Sequence, residues 1–138
     1  MILLDTNVVS EMMKPEPAAR VVSWMEREPA SSLYVTSITQ AEIMHGVMLL
    51  PQGRRRKALE AAAQAMFSED FAERLLAFGS EAALAYAHIA VERRRRGRPI
   101  AAFDAQIAAI ARAAGATLAT RNITDFDHCA IRVVNPWK

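Results

Sequence analysis

The side chains of this sequence that could carry out chemistry are four acids, namely Asp5, Glu42, Asp104 and either Asp125 or Asp127. Each lies at the end of a predicted element or in an otherwise apolar stretch. An unpaired buried carboxylate is costly or stays protonated, and proteins rarely accept four of them without a cation. As a set, the acids therefore predict a site for a hard divalent metal ion. Each one alone has a simpler interpretation, as a helix cap or as one half of a salt bridge.

The chemistry that such a set supports is phosphodiester hydrolysis. Oxygen-only ligands favour Mg²⁺ or Mn²⁺, whereas zinc prefers nitrogen and sulfur. Ions of this kind bind a phosphodiester, activate a water molecule and stabilise the leaving oxygen. Two dense basic runs, Arg54–Lys57 and Arg93–Arg96 with Arg98, predict a surface for the nucleic-acid backbone. The alternative for these runs is a solvated helix face.

Short apolar strands alternating with helices are predicted to position the acids. Asp5 follows the first strand, Ile2–Leu4, and Thr6 and Asn7 have the side chains that open a helix. This alternation favours an α/β fold with a parallel sheet and helices on both faces, whose ligand site lies at the carboxyl ends of the strands. The further strands are expected at residues 33–36, 75–78, 117–120 and 131–134. Helices are expected at residues 8–13, 18–27, 38–50, 54–66, 80–96 and 102–114.

Composition places the chain among ordered globular proteins. Its 138 residues are 52% hydrophobic and 23% charged, which predicts one continuous domain over residues 1–138. No apolar run approaches the roughly 18–20 residues of a membrane helix. The start of the chain lacks the features of a secretion signal. The single Cys129 cannot form an internal disulfide, and together these features predict a cytoplasmic protein without membrane contact.

Four stretches of the sequence, and its closing residues, resemble a known family. The stretches are similar to the four motifs of the PIN-domain ribonucleases, and the close is similar to that of the bacterial VapC toxins, particularly the FitB-like group. The resemblance runs from residue 2 to residue 137. The stretches are Leu3–Asn7, Thr39–Glu42 with Gly46, Ile100–Ala109 and Thr120–Phe126, and the close is Asn135–Trp137.

This resemblance implies a three-layer α/β/α PIN-like domain around a short, mainly parallel sheet. It also implies a Mg²⁺- or Mn²⁺-dependent endoribonuclease that cuts tRNA or rRNA as the toxin of a type II toxin–antitoxin pair. A cognate VapB-like antitoxin would inhibit it, and a homodimer is expected. The implied catalytic, metal-binding acids are Asp5, Glu42, Asp104 and Asp125, with polar support from Thr6, Asn7, Thr120 and Asn122.

Two departures from the family pattern matter. Phe103 stands where the family more often has a small residue. Asp127 competes with Asp125 for the role of fourth acid. Neither departure touches the first three assignments.

Two other functions stay open on the residues alone. A non-catalytic RNA- or protein-binding module would keep the acids for folding, and it would bind RNA equally well in the presence of a chelator. A Mg²⁺ phosphatase would hydrolyse small phosphomonoesters. Enzymes of that kind that use an aspartate nucleophile open with Asp-x-Asp, whereas this chain has Asn7 in place of the second acid.

Two surfaces complete the predictions. The helix expected at residues 38–50 is apolar over more than a core-facing stripe, and with the following Arg-rich helix it predicts a groove for an antitoxin tail. A basic antitoxin side chain that reaches the carboxylates would explain inhibition. Trp24 and Trp137 are predicted to be packing residues rather than platforms for base stacking.

Overall fold

The computed structural model describes all residues, 1–138, and has a parallel sheet of five short strands at its centre. Their order in the sheet is β3-β2-β1-β4-β5, and every neighbouring pair is parallel. In the register, Ile2 pairs with both Leu33 and Thr117. The strands are β1 (Ile2–Leu4), β2 (Leu33–Thr36), β3 (Leu75–Leu76), β4 (Thr117–Ala119) and β5 (Val133–Val134).

Six helices connect the strands, and a short 3₁₀ turn, Ile123–Phe126, follows β4. None of the six is both long enough and apolar enough to cross a membrane. The helices are α1 (Thr6–Met12), α2 (Ala19–Arg27), α3 (Ser37–Met48), α4 (Arg54–Ala65), α5 (Ser80–Arg95) and α6 (Ala102–Ala114).

Helices cover both faces of the sheet, which confirms the predicted α/β/α arrangement. Successive side chains of a strand point to opposite faces, and Leu3 and Leu4 accordingly belong to different hydrophobic cores. Leu3 packs with residues of α5 and α6 such as Ile89 and Ile107. Leu4 packs with residues of α1 to α4 such as Val8 and Ile43. The two faces thus bury two separate clusters around one sheet.

The edge strands are shorter than the sequence suggests. The predicted strands at residues 75–78 and 131–134 are reduced to two residues each. Ala77 and Phe78 are exposed, and Phe78 packs edge-to-face on Tyr86 instead of extending the sheet. An edge strand has one neighbour only, so β-forming residues at its end gain little from pairing.

The first helix is capped differently from the prediction. Asp5, rather than Thr6 or Asn7, is its N-cap, and the Thr6 amide donates to Asp5 Oδ1 over 2.8 Å. Asp5 is held at the carboxyl end of β1 because its own backbone amide donates to the Ala119 carbonyl, at the end of β4, over 2.9 Å. The side chains of Thr6 and Asn7 are therefore free for other partners.

Candidate active site

An open pocket of about 460 Å³ lies at the carboxyl edge of the central strands. Three of the four predicted acids line it. Asp5 directly follows β1, Glu42 lies in the middle of α3, and Asp104 lies in the first turn of α6. Three elements distant in sequence thus bring their carboxylates to one place, as the parallel sheet predicts. The full lining is Asp5, Thr6, Asn7, Ser10, Glu11, Lys14, Glu42, Asp104, Arg121, Asn122 and Trp137.

Hydroxyl groups fix the orientation of two of the acids. The Thr120 hydroxyl donates to Asp5 Oδ2 over 2.7 Å, and the Thr6 hydroxyl donates to Glu42 Oε1 over 2.8 Å. Thr120 is fully buried and follows β4, so this contact joins the ends of two neighbouring strands. Both threonines are residues for which a supporting role was predicted.

The two predicted asparagines complete the network. Asn7 Nδ2 donates to Thr120 Oγ1 over 3.2 Å and lies 3.4 Å from Asp5 Oδ2. The Asn122 backbone amide donates to the same Thr120 oxygen over 3.1 Å, and Asn122 lines the pocket. The structure therefore places all four predicted supporting residues around the acids.

None of the predicted metal-binding acids is in an ion pair, although Lys14 and Arg121 also line the pocket. The three ion pairs of the molecule are Lys14–Glu11, Arg96–Glu92 and Arg98–Asp127, and none includes a predicted metal ligand. Partial burial, followed by the charges of Asp5, Asp125 and Glu42, raises the pKa of Asp104 to about 6. Burial is also the main reason why the pKa of Asp5 is raised, although the hydrogen bond from Thr120 opposes it. A bound cation would relieve both effects.

Asp125 is the one predicted acid that does not line the pocket. It is exposed on the 3₁₀ turn, yet its charge contributes to the raised pKa of both Asp5 and Asp104. Its competitor Asp127 lies 3.4 Å from Arg98 Nη1 and is one half of an ion pair. Because Asp125 interacts electrostatically with Asp5 and Asp104, whereas Asp127 is in an ion pair, Asp125 is the better candidate for the role of fourth acid.

The donors in the pocket are oxygens, which suit a hard divalent ion better than zinc. No group of three or more His, Cys, Asp and Glu side chains is arranged so that it could hold a metal ion as it stands. Zinc sites need such a group of side chains, commonly with nitrogen or sulfur ligands. Mg²⁺ is bound by oxygen ligands, commonly one or two carboxylates, and four carboxylates line this open pocket, those of Asp5, Glu11, Glu42 and Asp104.

Five residues that line the pocket were not predicted as site residues, namely Ser10, Glu11, Lys14, Arg121 and Trp137, and the last two contact each other. Trp137 packs against the core as predicted, but it also lines the pocket, so the prediction of packing alone is incomplete. The Arg121 guanidinium lies 5.2 Å from the centre of the Trp137 ring, within the range of a cation–π contact. The only sequence signal for this arginine is its position directly after Thr120.

Arg93 corrects the prediction for the second basic run. It is 5% exposed, and its guanidinium donates to backbone carbonyls rather than facing solvent. Nε donates to Arg98 O over 2.7 Å, and Nη1 donates to Asp125 O and Asp127 O over 2.8 and 3.1 Å. Arg96 and Arg98 are taken up by ion pairs with Glu92 and Asp127. Arg93 and Arg98 therefore tie the end of α5 to the loop that carries Asp125, whereas Arg94 and Arg95 are exposed and belong to no ion pair.

We expect Arg93→Met to lower the free energy of unfolding by about 3 kcal/mol, because it leaves three backbone carbonyls without their donor. The neighbouring Arg94 is exposed and is in no ion pair, so Arg94→Met should change stability by less than about 0.5 kcal/mol. Urea unfolding followed by circular dichroism measures both. Equal midpoints for the two variants would contradict the structural role of Arg93.

Comparison with known proteins gives the family. The model of the PIN domain matches residues 2–131. Toxin FitB of Neisseria gonorrhoeae is 39% identical over 137 residues, covering 99% of each chain. VapC ribonuclease Y4jK of Sinorhizobium fredii is 35% identical over 138 residues, covering 100% of this chain and 99% of the relative. The solved structure of FitAB bound to IR36 DNA fragment matches with a TM-score of 0.94 at 39% identity, covering 100% of this chain and 96% of that one.

The chain therefore belongs to the PIN-domain family. Within this family it is a homologue of the FitB toxin and of a VapC ribonuclease over its full length, which confirms the resemblance drawn from the motifs.

Proposed function

We propose that this protein is a divalent-metal-dependent endoribonuclease and the toxin of a type II toxin–antitoxin pair. The observation that carries the proposal is that Asp5, Glu42 and Asp104 line one open pocket and have no cation as partner. Asp5 and Glu42 accept hydrogen bonds from threonines, but Asp104 accepts none and is in no ion pair, which a purely structural role would not explain. The names of the homologues, a toxin and a ribonuclease, support the same function.

Asp5, Glu42 and Asp104 would hold the Mg²⁺ or Mn²⁺ ion, and Asp125 would complete the site or hold a second ion. When bound, the ion supplies charge to the phosphodiester and acidifies a water for attack on phosphorus. The chain's own polar groups prepare the site: Thr120 and Thr6 fix the carboxylate oxygens of Asp5 and Glu42. Because those contacts exist before substrate arrives, little reorganisation accompanies the reaction.

The function is tested with the purified chain and total RNA. Cleavage should require Mg²⁺ or Mn²⁺ and should stop with EDTA, and sequencing of the product ends would identify the RNA, which we expect to be tRNA or rRNA. RNA binding that EDTA leaves unchanged, without cleavage, would indicate a non-catalytic module. Hydrolysis of p-nitrophenyl phosphate in place of RNA would indicate a phosphatase.

We infer that an antitoxin binds in an apolar groove beside the active site. The groove, about 660 Å³ in volume, lies between α1, α3 and α4. Its apolar lining includes Ile43, Val47 and Leu59, which would receive the apolar anchors of a helical or extended tail. Thr6 and Glu42 line both this groove and the acidic pocket, so a basic side chain of the occupant would reach the carboxylates.

Ala58→Glu should weaken binding of the antitoxin encoded beside this gene while leaving RNA cleavage unchanged. Ala58 is exposed on α4 and lines the groove, so the variant places an unpaired charge in the interface without disturbing the core. Ala61→Glu is the matched control, because Ala61 is exposed on the same helix but does not line the groove. Calorimetric titration measures both, and equal affinities would contradict this docking site.

The homodimer implied by the resemblance stays a prediction. Leu84 and Val91, 65% and 47% exposed, lie seven residues apart on α5 and therefore on one side of that helix. Sedimentation of the purified chain tests whether a second copy covers them.

A further inference from the structure

A second groove, about 360 Å³ in volume, lies along the exposed side of α2 and is lined by cations. We call it the α2 groove. Arg20, Ser23 and Arg27 follow one another at spacings of three and four residues, which places them on one side of the helix. The opposite side packs into the core through Val21 and Met25. The complete lining is Ala19, Arg20, Ser23, Arg27, Pro136 and Lys138.

No acidic side chain lines the α2 groove, which holds three basic ones. Arg20, Arg27 and Lys138 belong to none of the three ion pairs in the molecule. A cleft lined by charges of one sign raises the local concentration of ions of the opposite sign. The groove is therefore suited to an anionic ligand, and guanidinium groups in particular match the geometry of phosphate oxygens.

The α2 groove adjoins the acidic pocket across the chain's last residues. Trp137 lines the acidic pocket, while its neighbours Pro136 and Lys138 line the α2 groove. The unpaired Arg121 rests over Trp137 on the pocket side. Basic side chains therefore form a continuous surface from the acidic pocket, past the C-terminal residues, to the α2 groove. They are Arg121, Lys138, Arg20 and Arg27.

The tail itself is held in place by hydrogen bonds. Asn135 Oδ1 accepts from the Trp137 amide over 2.9 Å, and Asn135 Nδ2 donates to Arg121 O over 3.4 Å. The Arg121 amide in turn donates to Asn7 Oδ1 over 3.3 Å. These hydrogen bonds connect residues 135–137, which separate the acidic pocket from the α2 groove, to Asn7 in the active site. They fix the position of the acidic pocket relative to the α2 groove.

We propose that the α2 groove binds backbone phosphates of the RNA substrate on one side of the cleaved bond, with Arg121 bridging groove and pocket. This inference rests on the proposed ribonuclease function. It assigns the role of backbone binding to cations that are scattered in the sequence but adjoin the acidic pocket. Of the two basic runs, Arg54–Lys57 lies on α4 beside the proposed antitoxin groove, and Arg93, Arg96 and Arg98 donate to carbonyls or carboxylates. Contacts of this kind act through charge and do not depend on base sequence.

The test removes the two α2 arginines as the pair Arg20→Gln and Arg27→Gln. Binding is measured by fluorescence anisotropy with a fluorescein-labelled single-stranded RNA of mixed sequence, in an Asp5→Asn background with Mg²⁺ present. We expect the dissociation constant to rise on the order of tenfold at low salt. The slope of log affinity against log salt should fall by about 1.4, since each contact to single-stranded nucleic acid contributes roughly 0.7.

Two controls separate this binding role from general charge and from misfolding. Arg112→Gln with Arg132→Gln removes the same charge from a surface beside Thr117, at the amino end of β4 and thus opposite the acids, and should leave binding nearly unchanged. Arg20→Lys with Arg27→Lys keeps the charge and should restore most of the affinity. In the otherwise unchanged protein, the Gln pair should raise KM and leave kcat unaltered.

The outcomes distinguish this inference from the function on which it rests. If the unmodified protein cleaves RNA and Asp5→Asn does not, but the α2 Gln pair binds RNA with unchanged affinity and salt slope, the α2 groove is not a phosphate site. An equal loss in the Arg112/Arg132 control would likewise overturn the inference, because it would show only the effect of net charge. Absence of cleavage by the unmodified protein in Mg²⁺ and Mn²⁺ would instead refute the ribonuclease proposal.

Discussion

Asp5→Asn should reduce RNA cleavage about a thousandfold or more while the protein stays folded, a loss typical of removing a group essential to catalysis. Asparagine keeps the shape of the side chain and an oxygen to accept from the Thr6 amide. It removes the charge that would attract the divalent ion. Burial raises the pKa of Asp5, so a neutral side chain is favoured there, but the amide nitrogen of asparagine cannot accept from the Thr120 hydroxyl. Because these two effects oppose each other, we expect the free energy of unfolding to change by less than about 1 kcal/mol.

The matched control for this variant is Asp127→Asn. Asp127 carries the same side chain, but it faces Arg98 and does not line the acidic pocket. We expect it to retain nearly full activity. Cleavage of labelled RNA on denaturing gels gives the rates, and thermal unfolding confirms the fold of both variants. Full activity of Asp5→Asn would contradict the proposed mechanism. Loss of activity in Asp127→Asn would indicate that Asp127, rather than Asp125, is the fourth acid.

The second large effect concerns Asp104→Asn, whose stability relative to the unmodified protein should change sign when the divalent metal is removed. In EDTA at pH 8, Asp104→Asn should be more stable than the unmodified protein by about 1 kcal/mol, a value that allows for solvent screening of a partly exposed group. With saturating Mg²⁺ the order should reverse, since the ion binds the folded state of the unmodified protein more tightly. RNA cleavage by the variant should be lost in either condition.

The sign of the pH dependence follows from the raised pKa of Asp104. Its folded-state value is about 6, against an ordinary value of 3.8, so the folded state holds the proton more tightly. The contribution of this group to stability is complete below pH 3.8 and is lost as the pH rises through 6. In EDTA, the stability advantage of Asp104→Asn over the unmodified protein should therefore grow between pH 4 and pH 8.

Chemical unfolding in urea across this pH range, with and without Mg²⁺, measures the effect. Glu42→Gln provides a comparison, because Glu42 lines the same pocket and accepts a hydrogen bond from Thr6. Glu42→Gln, like Asp104→Asn, should lose the stabilisation by Mg²⁺. If Mg²⁺ and Mn²⁺ stabilise none of these proteins at millimolar concentration, the pocket does not hold the proposed ion.

The sequence by itself determined the layers of this protein and the approximate position of its acids. The apolar run Ile2–Leu4 followed by Asp5 encodes a buried strand with a carboxylate at its end, and this information is local. Strand and helix alternate along the chain, which favours a parallel sheet whose strands have their carboxyl ends at one edge. The position of Asp5 was predictable for this reason, whereas Glu42 and Asp104 lie on helices that the fold brings to the same pocket.

Only the tertiary structure decided which cations are available for a substrate. In the sequence, Arg93–Arg96 is one of two dense basic runs, whereas in the fold Arg93 is buried under the loop of Asp125. The less conspicuous Arg20, Arg27 and Arg121 stay unpaired beside the acidic pocket. Charge density along a chain does not report burial, because the partner of a side chain is set by residues that lie far away in sequence.

The same reason explains the role of the C-terminal tail. Trp137 reaches the pocket because Asn135 bonds to Arg121, and Arg121 bonds to Asn7, a residue 114 positions earlier in the chain. Such contacts form only after the sheet has brought the ends of β1 and β4 side by side. Local sequence patterns therefore determine the helices and strands and the acids that they carry. The cations beside the acidic pocket are brought there by packing between segments that are far apart in the sequence, so sequence patterns alone do not predict them.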